Sequence, residues 1–566
     1  MKVSELKYER VNIAEAEKRI RRIIKKVVEA ESSEKLLALR EETVKLSRHV
    51  QTMSSLAFIR FTLNTRDDFY LNEKQYYDES LPRLSALSAK FNRAFLSNVH
   101  AEEAFSQLNS NIKKLYNLSS RVSDEKIVPE MIEEAKLVTE YDILISGITF
   151  FFHGKRQPLS MMKKYFEDPD RDTRCEAMAV VGRGLQRKKA KIDEIFSKLV
   201  RVRAKMAEKL SFKSYADLGD GLMGRYSYGR DEIHKFRKQV VEKLVPVIVK
   251  LKRKTANALG IDQLMLYDYD VNLIAGAPAP KGNARELFKN AKIMYENIDE
   301  EMGEFFNSLL DAGAIDVYPK KGKWGGGYCT SIDEYKQPFI LANFNGTSGD
   351  VDVLTHEMGH AFAYYEWFKQ NLDYELNLGT MSVAEIHSMA MEMLAYPYAD
   401  LFFERAEDYC YNHLINSLVF ITYGCMVDEF EELCYSNLNW SAKDRNDCWL
   451  ALESKYRPYL SSKGIPYFER GTRWQYQMHI FENPMYYIDY CLSQTIAHEI
   501  YIETAVDYKK ALAKYLFIVK NGGELAFEEL VEKAGFLSPF KEKTLEKISS
   551  KIIDLIDKNG QRINNK

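Results

Sequence analysis

The stretch Thr355-His356-Glu357-Met358-Gly359-His360-Ala361-Phe362 places two histidines four residues apart, with a glutamate directly after the first. On a helix such a pair shares one face, its β-carbons about 5–6 Å apart. Both imidazoles then reach a single ion at a Zn–N distance of about 2.0–2.1 Å. Glu357 sits beside the pair, where a carboxylate can take a proton from a water that attacks a carbonyl. Zinc at such a place supplies Lewis acidity and lowers the pKa of water toward about 7. Ser348 and Asp350 suit a helix start, and Val353, Leu354 and Phe362 supply apolar positions. Gly359 is the odd residue, because glycine inside a helix costs about 1 kcal/mol relative to alanine. Its missing side chain leaves room for another backbone, or for a substrate, to pass close by.

A catalytic zinc usually keeps three protein ligands and one open position. The metzincin continuation requires glycine and histidine three and six residues after His360; this chain has Ala363 and Glu366 there. A second helix is therefore the expected source. Ser382-Val383-Ala384-Glu385-Ile386-His387-Ser388-Met389-Ala390-Met391-Glu392-Met393-Leu394 offers Glu385 and Glu392, seven apart on one helical face. One of them can bind the metal while the other holds a ligating histidine by hydrogen bond. Spacing alone leaves rivals, since Ser382-x-x-Glu385 is also a capping-box pattern and His387 also reads as an ordinary helix histidine.

Outward from this centre, the first 146 residues contain no glycine and only Pro82 and Pro129 as prolines, which reads as long helices. Ile20, Ile23, Ile24, Val27 and Val28 form an apolar stripe at helical spacing, read as core. Residues from about 150 to 230 also read as helical, punctuated by glycines. Between about 260 and 350 the character changes. Ala275 to Pro280 reads as a loop, while Ala314 to Tyr318 and Phe339 to Asn343 read as short strands. Lys321 to Tyr328 reads as a glycine-rich turn with two aromatic anchors, and lacks the GK[ST] of a phosphate-binding loop. Helix returns after 350. The expected fold class is mainly α, with a small β-sheet next to the HExxH helix.

Composition is that of a globular protein: 46% hydrophobic, 29% charged and 12% aromatic. A net charge of −2 from 80 basic and 82 acidic side chains gives no reason to expect nucleic acid or an anionic membrane as partner. The basic run Arg187-Lys188-Lys189-Ala190-Lys191 reads as a solvated helix face. Seven scattered cysteines without a CxxC pair suggest neither a disulfide framework nor a cysteine zinc site. With no signal core and no long apolar run, the expected location is the reducing cytoplasm.

Three stretches together resemble the oligoendopeptidase F and thimet oligopeptidase family of zinc peptidases. They are His356-Glu357-Met358-Gly359-His360, Glu385-Ile386-His387-Ser388-Met389 beginning 25 residues after His360, and His479-Ile480-Phe481-Glu482-Asn483-Pro484-Met485-Tyr486-Tyr487-Ile488-Asp489-Tyr490. The spacing in the third is similar to the oligoendopeptidase F branch. The resemblance implies one Zn2+ held by His356, His360 and Glu385, with Glu357 as general base. It implies two largely helical lobes around a deep channel, a helical N-terminal lobe over 1–195 and a catalytic domain over 196–566. It also implies cleavage of internal bonds in short unfolded peptides, with the oligomeric state open. His479 and Tyr490, and with them Tyr486 and Tyr487, become candidates to stabilise charge on the attacked carbonyl oxygen, as tyrosine O–H and imidazole N–H groups can. By the same resemblance the strand Phe339 to Asn343 would pair with substrate backbone, and Gly325 to Tyr328 would form a mobile loop over it.

Other classes remain to be separated. A catalytically inactive peptide- or metal-binding scaffold on the same fold would retain the site's shape, yet Glu357 is present. An exopeptidase needs a group for a substrate terminus, and no motif announces one. Cobalt or manganese fits the same ligands as zinc.

Overall fold

The computed structural model describes residues 2–377 and 379–564. The chain is 70% helical with a few small sheets, so the expected class holds. The glycine-free N-terminal stretch forms long helices, among them α1 (Ile13–Val28), α2 (Ser33–Leu63) and α3 (Asp68–Leu96). Each begins at a polar cap: Asn12, Ser32 and Asp67 accept the backbone N–H of Glu15, Lys35 and Tyr70. Ile20, Ile23, Ile24 and Val27 of the apolar stripe are buried. Val28 is not; it is 67% exposed, being rotated off the face that α2 and α3 cover.

The region read as helical from 150 onward begins instead with a hairpin of β1 (Thr149–Phe152) and β2 (Lys155–Pro158). Its two-residue turn is His153-Gly154, both at positive φ, the geometry that matches the twist of paired strands. The small sheet ahead of the metal helix contains β3 (Ile315–Asp316), β4 (Tyr328–Ile332) and β5 (Gln337–Leu341). Its order is β3-β5-β4, with β5 parallel to β3 and antiparallel to β4. Two further helices follow, α4 (Gly349–Gln370) and α5 (Met381–Leu394), then α6 (Ala406–Ser436) and α7 (Tyr487–Thr504).

Helix α5 lies at the centre, packed against both α4 and α7, and every residue from Ser382 to Leu394 is buried. A helix covered on all sides needs small and apolar residues all round, and the alternating Ala, Ser and Met residues supply them. The carboxylates it carries are then buried too, and buried charge must be paired. The 195/196 division expected from the sequence falls inside one continuous helix, Lys189–Lys209. Among the described residues no helix is long and apolar enough to cross a membrane.

Candidate metal centre

Helix α4 starts without a side-chain cap at Ser348; Asp350 instead accepts the N–H groups of Asn345 and Gly346, each at 2.8 Å, and so fixes the incoming loop. His356 and His360 project from one face, their rings 5.1 Å apart. Gly359 explains how α5 reaches them. A β-carbon there would stand 2.3 Å from the His387 carbonyl oxygen and 2.7 Å from the Ser388 α-carbon. The two helices cross backbone to backbone at this glycine, and α5 brings Glu385 between the histidines.

Glu385 Oε2 lies 3.3 Å from His356 Nε2 and 3.5 Å from His360 Nε2. The donor atoms of the three residues lie within 4.8 Å of one another. Two donors that share a tetrahedral zinc at 2.0–2.1 Å sit about 3.3–3.4 Å apart, so the two distances from Glu385 match those of a shared ion. Ser388 donates to Glu385 Oε2 at 2.8 Å, and the Tyr486 hydroxyl donates to Oε1. The capping-box alternative is not used. Thr380 is the cap of α5, and Ser382 pairs with the Tyr228 hydroxyl inside the helix.

Glu392 does hold a histidine. Its Oε1 is 2.6 Å from His356 Nδ1 and its Oε2 is 3.0 Å from His413 Nε2. His413 Nδ1 is in turn 2.6 Å from the Tyr396 hydroxyl, while Asp352 lies 3.8 Å from His413 and accepts from Tyr409 at 2.6 Å. Such outer partners fix the tautomer and aim of a ligating imidazole. His413, Tyr396 and Asp352 were missed in the sequence; only Asp352, one turn before His356 on the same face, carried a local signal. His387 stays a core residue, its pKa pushed down to about 3 by burial and by the charge of His360.

Glu357 is buried and makes no ion pair with the ligands; burial raises its carboxyl above the usual range, against the pull of His356 and His360. On the other side stands the segment Met478–Glu482, followed by a turn and α7. His479 Nε2 is 3.4 Å from the Tyr490 hydroxyl, and His479 Nδ1 is 3.3 Å from the Gln477 amide. Burial lowers the His479 pKa to about 4, so the ring is neutral at pH 7. The three tyrosines occupy different positions. Tyr486 bonds Glu385, Tyr490 faces His479, and the Tyr487 ring packs against Phe420, Tyr423 and His479 at 5.0–5.8 Å.

The sheet corrects one expectation. Phe339 to Leu341 belongs to the central strand, with Thr330, Cys329 and Tyr328 paired on one side and Ile315 and Asp316 on the other. Its backbone is already satisfied; the outer strands are β3 and β4, and beyond β4 no strand lies among the described residues. The loop before β4 is also anchored more firmly than a mobile loop requires. Asn343 donates to the Trp324 and Gly326 carbonyls at 2.8 and 2.9 Å, Trp324 N–H donates to Thr62 at 2.8 Å, and Lys323 donates to the Ala342 carbonyl at 2.6 Å. The loop reaches the centre at Gly327, whose added β-carbon would stand 3.7 Å from Glu357 Oε1.

Residues 164–550 match the pattern of Peptidase family M3, and residues 3–122 match the Peptidase M3 N-terminal domain. The solved structure of PZ peptidase A with inhibitor 2 is similar, with a TM-score of 0.95 and 37% identity over 98% of this chain and 99% of that one. A structure provisionally assigned as oligoendopeptidase F, from Bacillus anthracis str. Ames, gives a TM-score of 0.89 and 32% identity over 98% of both chains. The two-lobed, mainly helical architecture is common to them. Oligopeptidase PepF of Bacillus subtilis (strain 168) is 23% identical over 324 residues, which is 54% of this chain but 46% of that relative's length. Motifs, fold and sequence pattern agree, and the chain belongs to peptidase family M3.

Proposed function

We propose that the protein is a zinc-dependent endopeptidase that hydrolyses internal bonds of short, unfolded peptides. The observation that carries this reading is the convergence of His356, His360 and Glu385 at ligand spacing beside the buried Glu357. Zinc bound there, one ion per chain, supplies Lewis acidity toward water and toward the peptide carbonyl. Glu357 would take a proton from the attacking water as the C–O bond forms and then pass it to the amine nitrogen as the C–N bond breaks. Burial, which raises its pKa, makes it a stronger proton acceptor than a free carboxylate.

Tyr490 and His479, 3.4 Å apart, would stabilise the charge that develops on the carbonyl oxygen. A neutral imidazole and a phenol in a buried setting can donate to that oxygen without reorganising. The backbone of β4, an outer strand, is the surface on which an extended peptide would lie, with Gly327 leaving space beside Glu357. A deep channel between a helical N-terminal lobe and a catalytic domain would admit short flexible chains and exclude folded proteins. All seven cysteines are unpaired, which suits the cytoplasm.

The test is incubation of the purified protein, and of Glu357→Ala, with defined peptides of about 5 to 30 residues plus one folded protein, with products identified by mass spectrometry. Internal cleavage of the peptides alone, absent in the variant, is expected. Single-residue products would indicate an exopeptidase. No cleavage by the zinc-bound protein would favour the inactive binding scaffold.

A further inference from the structure

The turn between the short His479 helix and α7 contains a conformation that residues with side chains rarely adopt. Met485 has φ +68° and is fully buried. Two buried side chains hold its peptide groups from opposite sides. Its N–H donates to Glu431 Oε1 at 3.2 Å, and its carbonyl accepts from Arg225 Nη2 at 2.5 Å. Gly219 makes room for the side chain, since a β-carbon there would meet Met485 Cγ at 2.7 Å. The next residue is Tyr486, whose hydroxyl donates to Glu385 Oε1 and leaves Oε2 toward the two histidines.

Arg225 does more than hold one carbonyl. Its guanidinium pairs with Asp220 and with Asp489 on α7, and its side chain is wholly buried. Asp489 also accepts from Tyr228 at 3.0 Å, and Tyr228 pairs with Ser382, three residues before Glu385 on α5. One buried cation therefore ties the left-handed turn, the start of α7 and the helix of Glu385 into a single unit. We propose that Arg225 is a positioning residue that, by imposing the left-handed turn at Met485, aims Tyr486 at Glu385 and so orients that carboxylate for metal. The inference rests on the reading of His356, His360 and Glu385 as ligands. Carboxylate ligands are commonly held by such outer hydrogen bonds, whose loss costs about 10–100-fold in metal affinity.

The test is a double-mutant cycle on zinc affinity, measured by chelator competition, with the visible spectrum of the cobalt-substituted protein as a second readout. Arg225→Lys keeps a cation between Asp220 and Asp489 but drops the fork that also reaches Met485. Tyr486→Phe removes the hydroxyl at Glu385. Each single variant is expected to bind zinc about tenfold more weakly and to shift the cobalt spectrum, and the double variant to be no weaker than the worse single one. Losses that multiply in the double variant, or unchanged zinc affinity in a folded Arg225→Lys protein, would overturn the proposal. Should Arg225→Lys fail to fold, Met485→Val, a β-branched residue strongly disfavoured at positive φ, opposes the left-handed turn without touching the ion pairs. It should weaken zinc binding, with Tyr486→Phe adding nothing in that background; unchanged affinity there also overturns the proposal. Failure of the wild-type protein to take up zinc is a separate result, which defeats the ligand reading itself.

Discussion

The histidine helix and the tyrosine turn face each other across the same centre, yet different physics holds each in place. His356, His360, Glu385 and Glu392 sit on two unbroken helices, α4 and α5, so the helical period sets their spacing and one glycine permits the crossing. His479 and Tyr486 sit on a broken segment with a short helix, Pro484 and a left-handed Met485, and Tyr490 follows in the first turn of α7. That segment is held from far away in the chain: Arg203 donates to the Ile480 carbonyl at 3.2 Å and also to that of Phe481, and Arg225 donates to that of Met485. The difference teaches where rigidity comes from. On the helix side, local backbone geometry presents the donors; on the turn side, buried arginines do. Changes on the first side should act on the ion and the chemistry, while changes on the second should act through orientation.

The largest effect that sharpens this contrast is expected at Glu357. Glu357→Gln should lower kcat by about 10²–10⁴-fold while zinc content, measured by metal analysis, stays at one per chain. Loss of zinc together with activity would place Glu357 among the ligands and break the assignment. Tyr490→Phe should lower kcat by about 10²–10³-fold with KM nearly unchanged, as steady-state cleavage of a short peptide would show. A rise in KM alone would make Tyr490 a substrate-binding group. Glu392→Gln should weaken zinc binding about 10–100-fold and recover much of its turnover at saturating zinc, because its task is to aim His356.

The smallest effect lies in the pH dependence of the arginine network behind the turn. Asp428 is fully buried, 3.1 Å from Arg230 and 2.8 Å from Arg237. Burial alone would raise its pKa, but the two guanidinium groups outweigh it and hold the carboxyl below its ordinary value. A depressed carboxylate contributes fully above its unfolded pKa of about 3.9, and the contribution is lost as pH falls through the folded value. The stability difference between wild type and Asp428→Asn, measured by denaturant unfolding, should therefore be constant from pH 7 to about 5 and shrink below about 4. A difference that persists undiminished at pH 3 would show that the carboxylate charge is not what the arginines need.

The same contrast explains what could be read from the sequence. The i, i+4 spacing of His356 and His360 and the i, i+7 spacing of Glu385 and Glu392 are properties of a helix, and all four residues lie where that period puts them. Gly359 was legible as a close approach, and the backbone of His387 and Ser388 is what approaches. Strand pairing was not legible. Phe339 to Asn343 reads as a strand, and it is one as far as Leu341, but its central place in the sheet depends on Tyr328 to Ile332, which begins where the glycine-rich turn ends and is not read as a strand. The hairpin at Thr149–Pro158 was too short to stand out from its helical surroundings. His413, Tyr396 and Arg225 carried no signal, because each acts through a partner on another element.

The central claim is that His356, His360 and Glu385 form one zinc site already set by the crossing of two helices. Anomalous diffraction at the zinc absorption edge, on crystals of the zinc-bound protein, tests it directly. The account predicts a single peak about 2.0–2.2 Å from His356 Nε2, His360 Nε2 and a Glu385 oxygen, with α4 and α5 unmoved around Gly359. A peak elsewhere, or one in which Glu385 is replaced as ligand by Glu392 or His387, would contradict it.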